Sequence, residues 1–276
     1  MTTDASAILD DTQQARAKAL ARARRRWQLL ELLVGVSFLA AMLATGASAR
    51  LRDWALGVAP AWWAGLLLFS AAFFGLYTLL TLPLSYFSEY RLEKRYGLLK
   101  QGLGGWLADA LKGLVVGAVI MGPLLLGLYA VLGRFPETWW LWAIGGYAAF
   151  TLVAIVAVPV VVMPLFHKFT PLEDPELEGR LQALAGRVGA RVQGVYRWGL
   201  GEKSELANAA LTGLGATRRI IVSDTMLDRY SPEEIEAVLA HELGHHCHAD
   251  IWRMWAVNVG VTSLAFYLGH MALGRF

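Results

Sequence analysis

Apolar residues gather in five long runs, at positions 27–44, 61–87, 106–132, 139–165 and 251–273, divided by polar stretches of which one is much longer than the rest. A helix needs about 20 residues to cross the hydrocarbon core of a bilayer, so each run predicts a transmembrane helix. Trp62 and Trp63 open the second run, and Trp139, Trp140 and Trp142 the fourth, where aromatic side chains favour the headgroup level. Pro159 and Pro164 are expected to kink or end the fourth run. The first run has the basic front of a secretory signal. It is longer than an h-region of about 7–15 residues, and no small-residue cleavage site follows, so it reads as an uncleaved span. Glu31, near its start, is costly in lipid and is expected at the interface or against another helix.

Between residues 166 and 250 the pattern becomes that of a small α+β domain. Asp174, Pro175 and Glu176 open an amphipathic helix with Leu177, Leu181, Leu184 and Val188 on one face. Residues 192–198 alternate like a strand, and 206–212 and 219–222 read as short strands joined by a glycine-bearing turn at 213–217. Residues 231–250 read as one helix: Ser231 is an N-cap, Pro232 suits the first helical position and Glu234 completes a capping box. Ile235, Val238 and Leu239 form its apolar stripe.

That helix contains His241-Glu242-Leu243-Gly244-His245. Residues four apart share a helix face, so both imidazoles can reach one ion. Zinc takes imidazole nitrogen readily, and Glu242 stands beside the pair to accept a proton from a zinc-activated water. Such a pentapeptide also arises by chance, but here it follows a capped amphipathic start. The candidate metal ligands are His241 and His245, the candidate base is Glu242, and Zn²⁺ is the expected cofactor. His248 lies about 10 Å along the axis from His241, too far to share an ion with it on a straight helix. Asp250 is expected to be too close in sequence to fold back, His246 is expected to point elsewhere, and His167 and His270 have no spacing argument.

Composition supports the spans. The chain is 56% hydrophobic and 17% charged, with a mean hydropathy of +0.45, against about 25% charged in soluble domains. The single cysteine, Cys247, excludes an internal disulfide and is expected as a small apolar filler. Arg16, Lys18, Arg22, Arg24, Arg25 and Arg26 precede the first run, and Arg91, Lys94, Arg95 and Lys100 lie in a loop expected at 88–105. Only Arg50, Arg52 and Arg134 mark the other side, which places the N-terminus and the 166–250 domain in the cytoplasm. The expected order is a basic cytoplasmic arm (1–26), four spans (27–165), a zinc domain (166–250) and a fifth span (251–276). The Ala-, Arg- and Leu-rich composition points to a bacterium with a GC-rich genome, hence an inner membrane. The expected partners are the bilayer and a peptide or membrane-protein substrate, and no nucleic acid.

Several segments, in order, resemble the CAAX prenyl protease 1 family of integral-membrane zinc endopeptidases. They are PLSYFSEYRLEKRYG at 83–97, WLADALKG at 106–113, PLFHKFTPL at 164–172, ANAALTG at 207–213, RRIIVSDTML at 218–227 and AVLAHELGH at 237–245. The resemblance implies a mainly α-helical polytopic membrane protein with a small zincin-like α+β catalytic domain. It implies zinc ligation by His241 and His245, with Glu242 as general base. It also implies that the strand through Ala207, Asn208 and Ala209 pairs edge to edge with the scissile peptide, for which small side chains suit a close backbone approach. The family's third ligand is a glutamate on a later helix. These 276 residues do not reach it, so no third ligand is expected here, and the polypeptide alone is expected to be an inactive truncated piece. The alternative reading is a catalytically silent membrane scaffold.

Overall fold

The structure, a computed structural model, describes residues 11–274; the first ten residues of the expected arm, Arg275 and Phe276 lie outside the described residues. The fold is mainly α-helical, with five helices long and apolar enough to cross a membrane and one small sheet. The chain divides into two units between Leu99 and Lys100.

In the first unit α1 (Asp11–Ala44) carries the basic segment and the first span in one helix. Gly46, at φ 67°, turns the chain into the short α2 (Ala47–Val58), which packs on α3 (Trp62–Ser85). Gly65 suits that close crossing: a Cβ there would lie 2.6 Å from Leu56 Cδ2, which would have to turn away, and 3.0 Å from the Ala59 carbonyl oxygen. Beyond α3 the helix widens into a π segment (Tyr86–Arg91) and closes with α4 (Leu92–Arg95). The loop expected from residue 88 is therefore helical as far as Arg95. Helical backbone serves two ties back to α1. Ser88 donates to Glu31 at 2.8 Å, and Arg24 makes a bidentate pair with Glu93 at 2.8 and 2.9 Å. Glu31 thus faces a second helix, as expected of an acid in a span. The two helices line a polar cavity of about 280 Å³ between Arg24, Trp27, Glu31 and Glu93.

The second unit opens with α5 (Leu103–Arg134) and α6 (Trp139–Ala157). The two prolines do not end the fourth span. After α6 comes a π segment (Val158–Val162), then α7 (Met163–Phe166). The soluble part runs β1 (Phe169–Pro171), α8 (Pro175–Arg187), β2 (Val195–Trp198), β3 (Ala209–Thr212), β4 (Arg219–Ser223), α9 (Asp224–Leu227) and α10 (Pro232–Cys247); α11 (Asp250–Leu273) is the last span. The sheet order is β1-β2-β4-β3, with β2 and β4 parallel and the outer pairs antiparallel. β3 has a strand partner on one side only among the described residues.

Strand alternation gives the sheet two faces. Val195, Ala209, Ile220 and Val222 point to one, where Leu177, Leu181 and Ala185 of α8 and Ile235, Leu239 and Leu243 of α10 close the core. The helix expected from Asp174 forms, capped by the Asp174 carboxylate on the Leu177 N–H at 3.0 Å. Val188 departs from its predicted face: the helix ends before it, and it sits exposed at the C-cap. The expected strand at 206–212 begins only at Ala209, because the Asn208 N–H and the Leu206 carbonyl bond the side chains of Ser223 and Thr225 and not a strand backbone.

The single helix expected over 231–250 is two helices. His248 caps α10, Ala249 adopts the left-handed conformation at φ 55°, and Asp250 starts α11. A non-glycine residue there costs on the order of 1 kcal/mol. Its N–H satisfies the His246 carbonyl at 3.0 Å, so the turn closes the helix end in the usual way. Cys247 is exposed, not filler: it continues the row of Ile235, Leu239 and Leu243, but it is the last residue of α10, one turn past the end of the core.

Replacing the fully buried Leu239 with alanine removes core atoms that cannot be refilled, and is expected to cost about 2–5 kcal/mol. Leu264→Ala, at a position 58% exposed on α11, is expected to cost much less. Thermal unfolding of the detergent-solubilised protein checks this; equal shifts for the two variants would refute the assigned core.

Candidate active site

The capping box forms as the sequence predicts. Ser231 Oγ accepts from the Glu234 N–H at 3.3 Å, and the Glu234 carboxylate accepts from the Ser231 N–H at 2.8 Å. Arg180 of α8 donates to Glu236 at 2.5 Å and to Glu233 at 3.0 Å, which ties the start of α10 to its neighbour. These carboxylates raise the Arg180 guanidinium above its ordinary range, and Glu233 is held below the usual carboxylate range by its backbone hydrogen bond and by Arg180.

With Ile235, Leu239 and Leu243 turned inward, His241 and His245 emerge on the exposed side. Their rings lie 5.0 Å apart, centroid to centroid, at 82° to each other. Glu242 is half-buried between them in sequence. His245 Nδ1 lies 2.8 Å from an Asp250 carboxylate oxygen. That hydrogen bond raises the His245 pKa, and it turns the Nε2 lone pair outward. Asp250, expected to be out of reach, gets there because the left-handed Ala249 reverses the chain. The signal for this interaction was the sequence itself, a carboxylate five residues after a histidine, but a continuous helix would have carried it away.

The other histidines are elsewhere. His248 Nδ1 lies 2.7 Å from the Gly244 carbonyl on its own helix, and the His246 pKa is lowered by burial and by Arg218. His167 rests edge-on against Trp198, 5.4 Å between centroids, and burial lowers its pKa; His270 packs on Trp139 and Trp140 in the spans. Among the described residues no three His, Cys, Asp or Glu side chains gather at one point. The pair His241 and His245 nevertheless fits zinc: two imidazoles adjoin, and one is oriented by a carboxylate through the ring nitrogen that zinc does not need.

α10 packs against β3. Ala209 is buried, Ala207 is half-buried and Asn208 is exposed just ahead of the strand. The Asn208 backbone is fixed on both sides by Ser223, whose N–H donates to the Asn208 carbonyl at 2.8 Å and whose Oγ accepts the Asn208 N–H at 2.9 Å. Ser223 is fully buried, and its hydroxyl also takes the Met226 N–H at 3.2 Å as the N-cap of α9. The sequence reading missed this residue, although a serine just before a helical turn is a capping signal. Asp224 accepts from the backbone N–H groups of Leu200, Gly201 and Thr225 at 2.7–3.0 Å, which fixes the loop leading to β3.

Residues 2–168 match the family described as the CAAX prenyl protease N-terminal region with five membrane helices, and residues 171–276 match peptidase family M48. The chain belongs to the CAAX prenyl protease family. Within the N-terminal region the described residues supply four helices of spanning length and the 12-residue α2, which is too short to cross. CAAX prenyl protease 1 of Saccharomyces cerevisiae is 40% identical over 170 residues, covering 61% of this chain and 37% of its own length. The uncharacterized metalloprotease YhfN of Bacillus subtilis is 28% identical over 227 residues, 82% of this chain and 53% of its own. The crystal structure of S. mikatae Ste24p superposes with a TM-score of 0.86 at 28% identity, covering 98% of this chain and 64% of that one. This family member therefore spans about a third to a half of the length of those curated relatives, and it is a multi-pass integral membrane protein.

Removing the carboxylate that orients His245 is expected to weaken zinc binding. In the full-length protein, Asp250→Ala should lower zinc affinity about 10–100-fold, measured by competition with a chelator. Unchanged affinity would show that Asp250 has no part in the site.

Proposed function

We propose that this protein is a membrane-embedded, zinc-dependent endopeptidase that hydrolyses peptide bonds of membrane-associated or CAAX-type substrates. The observation that carries the reading is the pair His241 and His245, held outward on α10 beside the edge strand β3. The name of the yeast relative supports the substrate class, and the family M48 match supports the chemistry. His241 and His245 would hold the zinc, with a third ligand from outside the described residues. Zinc, when bound, makes a bound water acidic near neutral pH and polarises the scissile carbonyl.

The chain's own groups do the rest. The edge through Ala207, Asn208 and Ala209 takes an extended peptide as an added strand through the backbone groups of Ala207 and Ala209, since those of Asn208 bond Ser223, a mode that reads main chain more than side chains and suits varied substrates. Ser223 keeps that edge in place. Glu242 takes the proton of the attacking water and returns it to the departing amine, so one carboxylate serves both halves of the reaction. Asp250 keeps the His245 ring oriented. The distribution of Lys and Arg supports a cytoplasmic site, and the Ala-, Arg- and Leu-rich composition supports a bacterial inner membrane.

In the full-length protein, Glu242→Gln is expected to keep zinc and lose about 10²–10⁴-fold in the rate of peptide cleavage. His241→Ala and His245→Ala are expected to lose zinc itself. Cleavage assays at matched zinc content separate the two classes. Activity in the Gln variant within a few-fold of wild type would place the base elsewhere, and no cleavage by the wild type would favour a silent scaffold.

Orientation has a built-in probe, because the one cysteine, Cys247, is exposed beside the candidate site. A membrane-impermeant thiol reagent should label it in inverted vesicles but not from the periplasmic side of intact cells. The opposite pattern would invert the topology.

A further inference from the structure

The second face of the sheet is aromatic. Phe169, Tyr196 and Trp198 share it with Arg219, the first residue of β4, since Phe169 pairs with Trp198 and Tyr196 with Ile221. The Arg219 guanidinium carbon sits 5.4 Å from the Phe169 ring centre and 5.5 Å from that of Tyr196. Its Nε is buried without a hydrogen-bond partner, and its Nη2 donates to the carbonyl of Pro159 in the π segment of the fourth span.

That carbonyl needs an outside donor for a reason written in the sequence. In an α-helix the Met163 N–H would serve it, but here Met163 donates to Val158. In a π turn the donor would be residue 164, and Pro164 has no N–H. The two prolines five apart thus open a backbone acceptor at the end of the span, where an unsatisfied carbonyl is costly. Arg219 supplies the donor from the soluble domain. The same residue begins the strand that pairs with edge strand β3, with Arg219 opposite Thr212.

We infer that Arg219 is a positioning residue that fixes the height of edge strand β3 against the fourth span, and so sets where a membrane-anchored peptide is cut. The inference rests on the endopeptidase reading above. A lysine cannot fill both the aromatic slot and the carbonyl contact in the same way, because it lacks the planar fork. Methionine keeps most of the stem packing and loses the donor.

The test uses the full-length protein in lipid nanodiscs with two substrates, a soluble peptide and the same peptide carrying a lipid anchor. Arg219→Met and Arg219→Lys should leave kcat/KM for the soluble peptide within about 2-fold, lower it about 10-fold for the anchored peptide, and move the cut by at least one residue. The double variant Arg219→Met with Pro164→Ala restores a backbone donor to Pro159 without restoring the tether. It should regain thermal stability and keep the anchored-substrate defect. If both substrates fall together and recover together in the double variant, Arg219 is merely structural and the inference is wrong. If the wild type cleaves neither peptide, the endopeptidase reading fails, and hydrogen exchange then decides the tether alone. Protection of amides 207–223 should drop in Arg219→Met, and unchanged protection would overturn it.

Discussion

One helix must do two incompatible things, and the rest of the soluble domain follows from that. α10 buries Ile235, Leu239 and Leu243 and exposes His241 and His245. His241 stands two positions after Leu239, about 200° around the helix, so the candidate ligand row lies opposite the buried row. Each buried aliphatic side chain contributes about 1.5–3 kcal/mol, whereas an exposed ion pair contributes about 0–1 kcal/mol. The apolar row therefore decides which way the histidines face. The Arg180 pairs with Glu233 and Glu236 only trim the angle of the first turns. α8 and the core face of the sheet exist to receive that row, and the strand order leaves β3 open beside it.

Features set by periodicity and caps were legible in the sequence. The five spans and, apart from Val188, the predicted faces of α8 and α10 emerge from apolar spacing, and the capping box at Ser231 from residue type. What escaped has a common physical character: it depends on backbone departures that side-chain type does not announce. Ala249 carries no glycine signal yet turns left-handed, so two helices looked like one and Asp250 looked unreachable. The π segments at Tyr86–Arg91 and Val158–Val162 each replace what composition reads as a loop or a kink. Cys247 looked like filler because it continues the apolar row of its helix, but the core ends one turn before it. Resemblance implied the roles proposed for Ala207 and Asn208, and it did not point to Ser223, whose buried hydroxyl and N–H hold the Asn208 backbone.

The soluble domain has little slack against the spans beside it. Only His248 and Ala249 separate α10 from α11, and only His167 and Lys168 separate α7 from β1. α11 in turn packs along α6, where Tyr147 donates to Asn258 and the Trp255 indole donates to Thr151 at 3.1 Å, while Trp140 meets Tyr267. The chain thus leaves the fourth span and returns to pack against it. The carboxylate that orients His245 belongs to the first turn of that returning span. The orientation of the candidate ligand His245 thus depends on where a membrane helix begins, and polar and aromatic contacts with α6 hold that helix in place. On the proposed endopeptidase reading, this arrangement refers the site at His241 and His245 to the membrane itself. A site hung on a flexible linker would lose that reference, since errors of about 1 Å in placing reacting groups are costly in rate.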